Sequence, residues 1–112
     1  MRQAGILAAA AIYALDNSLP NIAHDHAKAR HLAEELARIQ SLRIDMSEVQ
    51  TNMVFIDIAP TGKSQSEVLE SLAGRGVLLT PERSTFIRAV THLDVSDADV
   101  EEAIRAFRAI FR

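Results

Sequence analysis

Residues Ala4 to Leu15 (AGILAAAAIYAL) carry no charged or strongly polar side chain over twelve positions. A helix needs roughly twenty such residues to cross a bilayer, so the run is too short to be a transmembrane segment. Met1-Arg2 and Ala8-Ala9-Ala10 resemble the charged start and small residues of a signal peptide. The apolar run, however, continues through Ile12, Tyr13 and Leu15 straight into Asp16-Asn17-Ser18, which argues against a cleavage site there. A helix apolar on nearly all sides must be covered by other protein. Such a helix at one end of 112 residues demands more partner surface than the chain is expected to supply. Six of the 18 Ala lie in these first fifteen residues.

The remainder has the pattern of one domain, with no repeat, low-complexity tract or long linker. Asn17 to Pro20 interrupts the first helix, and Pro20 suits the first turn of a second that runs to about Ile39. Ile22, Ala29, Ala33, Leu36 and Ala37 give that helix an apolar face, with Arg30, Glu34 and Arg38 on the other. Short strands are expected at Leu42 to Met46, Met53 to Ile58, Val77 to Thr80 and Phe86 to Val95. Ser64 with Glu67 reads as a capping box for a helix through Ala73, closed by Gly74 and Gly76. Ser96 to Asp99 caps a last helix in which Val100, Ile104, Phe107 and Phe111 form one stripe. The order predicts an α+β layer (α/β by some schemes): three or four strands with helices packed on one face.

The absence of Cys excludes disulfide and Cys-ligand zinc scaffolds. A net charge of -3 argues against nucleic acid as a partner. Asp57 to Ser66 (DIAPTGKSQS) imitates a phosphate-binding loop, but Asp57 occupies the position that needs Gly, so capping is the expected role of Ser64. His24, Asp25, His26 and His31 are spaced two and seven apart, which on a helix does not converge ligands on a metal. No metal site is expected. Lys28 and Lys63, the only lysines, stand in no apolar context suited to Schiff-base chemistry, and no nucleophile with its base emerges.

Arg88 differs from these. Strand alternation sets Phe86, Arg88, Val90, His92 and Asp94 on one face and Ile87, Ala89, Thr91, Leu93 and Val95 on the core face. A guanidinium between Phe86 and Val90 needs an anion. Either it pairs with a carboxylate such as Asp57 or Asp94, or its fork is held ready for a ligand carboxylate or phosphate. His92 reads as a satisfied strand residue.

Four stretches then carry a resemblance. Met1-Arg-Gln-Ala-Gly-Ile-Leu-Ala-Ala-Ala, Asp25-His-Ala-Lys-Ala-Arg-His-Leu-Ala, Gln50-Thr-Asn-Met-Val-Phe and Arg88-Ala-Val-Thr-His-Leu-Asp-Val resemble the C-terminal third of low-specificity L-threonine aldolases, in one register throughout. That family belongs to the pyridoxal-phosphate enzymes of the aspartate-aminotransferase fold, fold type I. The resemblance implies cytoplasmic lyases that cleave threonine or allo-threonine to glycine and acetaldehyde, as homotetramers of dimers with shared active sites. It implies that Arg88 binds the substrate carboxylate and that Arg2 reaches the cofactor phosphate region of a neighbouring subunit. The family's Schiff-base lysine, the Asp facing the pyridine nitrogen and the His stacked on the ring correspond to no residue of this sequence, so no catalytic residue is expected within it. Residues 1–18 then read as a helix leading from a large domain, and residues 19–112 as the small C-terminal domain. The rival expectation is a free-standing, non-catalytic α+β module that oligomerises or binds a small carboxylate.

Overall fold

Three antiparallel strands form the sheet around which the rest is arranged in the computed structural model, which describes residues 2–111. They are β1 (Met53–Asp57), β2 (Thr80–Pro81) and β3 (Phe86–Val90), in the order β1-β3-β2. Val54 pairs with Ala89 and Ile56 with Ile87, and all four are buried. Because side chains alternate, Phe55 and Asp57 of β1 point the opposite way, with Phe86 and Arg88 of β3 beside them.

Four helices accompany the sheet among the described residues: α1 (Gly5–Asn17), α2 (Leu19–Leu36), α3 (Gln65–Ala73) and α4 (Asp97–Ile110). Ala29, Leu32, Ala33 and Leu36 of α2, Val68 and Leu72 of α3, and Ile104 and Phe107 of α4 join the inward strand residues in one core. The expected α4 stripe is observed, with Val100, Ile104, Phe107 and Phe111 all buried and the two rings 6.1 Å apart. Both capping boxes are present. Ser64 Oγ accepts from Glu67 N at 3.3 Å while Ser64 N donates to Glu67 at 2.7 Å; Ser96 and Asp99 repeat this at 3.2 and 2.8 Å. The α+β layer with helices on one sheet face is therefore as the pattern predicts, and the other face of the sheet is open.

Helix α1 buries none of its residues. Ile6 is 85% exposed and Tyr13 68%, on a molecule measuring 50 × 27 × 26 Å. A single residue, Ser18, separates α1 from α2, so the expected break is narrower than Asn17 to Pro20. Among the described residues no helix is long and apolar enough to cross a membrane.

Three expected strands are corrected. Leu42 to Met46 contributes only one bridge, Arg43 with Asp57, because Asp45 turns the chain at once by accepting from Ser47 N at 2.9 Å. Val77 to Thr80 narrows to Thr80–Pro81, since Val77 N is spent closing α3 on Leu72 O at 3.0 Å behind Gly76, whose φ is +80°. Pro81, lacking an N–H, suits this edge. The last strand ends at Val90 rather than Val95: Thr91 N still reaches Asn52 O at 2.9 Å, but Val95 N then bonds back to His92 O at 3.0 Å in a turn. Helix α2 likewise stops at Leu36, short of Ile39.

Candidate functional site

The open sheet face forms the floor of a cleft of about 740 Å³. Its walls are the Arg43–Glu48 segment that follows the β-bridge and the Glu82–Arg83 turn between β2 and β3. Three guanidiniums (Arg43, Arg83, Arg88) and four carboxylates (Asp45, Glu48, Asp57, Glu82) line it. Arg88 sits on the middle strand, facing Phe55 on one side and Thr80 on the other in the ladder. Its position follows from alternation in β3, where Ile87 and Ala89 take the core and Arg88 must face outward.

Two of the carboxylates are satisfied by partners other than Arg88. Asp57 accepts from Thr85 Oγ1 at 2.6 Å and from Ala59 N at 2.9 Å. The Thr85 hydroxyl holds the Asp57 carboxyl below its usual range, helped by Ala59 N–H and the Arg43 charge and opposed by partial burial. Asp45 is likewise lowered by the Ser47 hydroxyl and N–H. Neither Asp57 nor Asp94, the partners suggested by sequence, pairs with Arg88. Asp94 lies in the turn after β3, 4.0 Å from His92 Nδ1. The partner is Glu82, with Oε2 3.4 Å from Arg88 Nη1. A hydrogen bond of this type measures roughly 2.7–3.2 Å, so the contact is an ion pair only. Arg88 Nε is buried and has no acceptor. The guanidinium's donors are thus incompletely used, a state that costs roughly 1–3 kcal/mol per buried group. Glu82 is readable from the hairpin once its pairing is known: Thr80 opposes Arg88, and Glu82, two residues on, falls diagonally beside it on the same face.

Other candidates stand apart from the cleft. His92 is in the turn rather than the strand, accepting from Asp94 N at 3.3 Å. His24 reaches Asp97 at 3.3 Å and His31 reaches Glu101 at 2.6 Å, each a different carboxylate at the α4 end of the molecule. Among the described residues no three His, Asp or Glu side chains converge as metal ligands. Ser64 caps α3, and Lys63 is exposed outside the cleft. Arg2 is exposed at the start of α1 and does not line the cleft either.

The surroundings of Lys28 are hidden from the sequence. Only 5% exposed, its Nζ contacts Asp25 at 2.8 Å and donates to His92 O at 2.9 Å and Val95 O at 2.5 Å. Thr91 Oγ1 donates to Asp25 O at 2.7 Å, and Asn52 Nδ2 to Thr91 O at 2.7 Å. This knot anchors the end of β3, three residues beyond Arg88. Its acceptors lie 64 and 67 positions away along the chain, and no local pattern announces them.

The fold is thus an α+β layer whose helices cover one sheet face and whose other face presents a guanidinium with unused donors. Residues 1–59 match the beta-eliminating lyase family. The chain is 43% identical over 112 residues to the probable low-specificity L-threonine aldolase 2 of Arabidopsis thaliana, covering 99% of this chain and 32% of that protein. It is 39% identical over 110 residues to the low specificity L-threonine aldolase of Escherichia coli K12, covering 97% of this chain and 31% of that one. The chain belongs to the beta-eliminating lyase family. It spans about a third of the length of these curated relatives and matches a C-terminal part of them. The solved structure of MppP soaked with the product 2-ketoarginine shares the fold, with a TM-score of 0.62 at 20% identity over 87% of this chain and 30% of that one.

Proposed function

We propose that this chain supplies the substrate-carboxylate clamp of a cytoplasmic, homo-oligomeric, pyridoxal-phosphate-dependent threonine aldolase. The observation that carries this reading is Arg88: central on the open sheet face, one-third exposed, with one donor buried and unpaired and only a 3.4 Å ion pair to Glu82. Guanidinium forks bind carboxylates side-on through paired N–H donors, fixing orientation as well as charge. Orientation is what the reaction needs, because the bond to be broken must be held in one geometry. Phe55 and Phe86 beside the fork supply an apolar floor that excludes water and strengthens the pair.

The chain's own residues fit the substrate end of such a site and do not fit covalent attachment of the cofactor. Lys28 is committed to Asp25 and two carbonyls, and Lys63 is outside the cleft. When bound, the cofactor supplies the electron sink for carbon–carbon cleavage. Its lysine must come from other protein, which we assign to a large domain preceding residues 1–18. The same domain covers the exposed apolar side chains of α1, and Arg2 reaches the cofactor phosphate region of a neighbouring subunit.

The test is a graft: this chain replaces the corresponding third of the Escherichia coli enzyme, and acetaldehyde release from threonine is followed. The graft is expected to cleave threonine, whereas the 112-residue chain mixed with pyridoxal phosphate is expected to release none. A folded, cofactor-loaded graft without cleavage, or sustained turnover by the isolated chain, contradicts the proposal.

A further inference from the structure

The β2–β3 hairpin holds the Glu82 backbone from several sides. Glu82 N donates to Phe86 O at 2.9 Å, and Gln65 Nε2 on α3 donates to both Glu82 O and Phe86 O at 2.6 Å. The turn between them passes through Ser84 with φ +52°, a left-handed conformation that few non-glycine residues adopt. So fixed, the backbone leaves Glu82 one freedom, rotation of its side chain. Its carboxylate is placed diagonally across from Arg88, where it meets Nη1 at 3.4 Å. Asp45, by contrast, spends its charge on the hydroxyl and N–H of its own turn, and Asp57 on Ala59 N–H and the Thr85 hydroxyl of the hairpin.

We infer that Glu82 is the built-in occupant of the Arg88 carboxylate site and sets the affinity of that site, yielding Arg88 when a ligand carboxylate enters; the inference rests on the reading of Arg88 given above. Two carboxylates cannot share one guanidinium without repelling each other, and the cleft already holds four against three guanidiniums. An entering carboxylate that engages the free Nε edge of Arg88 repels Glu82 on Nη1, which swings aside. Little opposes that movement. The side chain is already one-third exposed and its present contact is longer than a hydrogen bond, so the pair is weak and solvent repays its loss. Until then Glu82 keeps the guanidinium compensated. Affinity for the ligand is the difference between the two pairings, which makes a residue that touches no substrate determine how tightly substrate is held.

The 112-residue chain itself provides the test, with acetate as the probe and the Arg88 Nε–H resonance as the signal. Acetate is expected to shift that resonance in the native chain. In Glu82→Gln it should bind about two- to fivefold more tightly, the measured range for partly exposed ion pairs. Glu82→Ser should behave alike. Equal or weaker acetate binding by both Glu82 variants overturns the inference while leaving Arg88 a carboxylate site. No response of Arg88 to acetate in any of the chains overturns the Arg88 reading, and the inference with it.

Discussion

Arg88→Ala in the threonine-cleaving graft is expected to raise KM for threonine about 10- to 150-fold, the equivalent of the roughly 1.5–3 kcal/mol that charge-assisted hydrogen bonds contribute. The cofactor's visible absorbance should be retained, because nothing on β3 is assigned to hold the cofactor. Since the fork also orients the bond to be broken, kcat should fall as well. Arg88→Lys keeps the charge but loses the paired donors, and should recover only part of the loss. A substitution that depletes cofactor and substrate binding equally would show that Arg88 supports the fold of the cleft rather than the ligand.

Lys28→Met is expected to cost the isolated chain about 3 kcal/mol of stability, read as a lower urea midpoint at unchanged slope. The ammonium is buried against Asp25 and two carbonyls. Its removal strands a carboxylate and leaves His92 O and Val95 O without their donor. Removing one member of a buried pair is costly because of the uncompensated partner left behind, not because the pair itself is worth so much. A loss below about 0.5 kcal/mol, typical of surface positions, contradicts this account of the knot.

The difference between these two residues shows where sequence reading reaches and where it stops. Arg88 is visible because strand alternation is local: Ile87 and Ala89 claim the core, and the residue between them must face away. The α4 stripe and the Ser64 and Ser96 caps are visible for the same reason, since periodicity and a three-residue spacing need no knowledge of the rest of the chain. The apolar ring of α1 is equally plain, and the structure leaves it uncovered. Lys28 is not legible because its acceptors arrive from the far end of the sequence. That same capture explains why β3 stops at Val90: the backbone beyond Thr91 gives its carbonyls to Lys28 rather than to a neighbouring strand, so alternation cannot be extended to His92 and Asp94. The anion beside Arg88 escapes the sequence because β2 is two residues long, too short for a pattern to reveal the pairing that brings Glu82 near.

The claim that Arg88 clamps the substrate carboxylate is tested most directly by the structure of the graft with glycine bound. Glycine carboxylate oxygens are expected at hydrogen-bond distance, roughly 2.7–3.2 Å, from the Arg88 fork, with the Glu82 side chain turned away. Glycine held by another residue, with Arg88 still against Glu82, would contradict it.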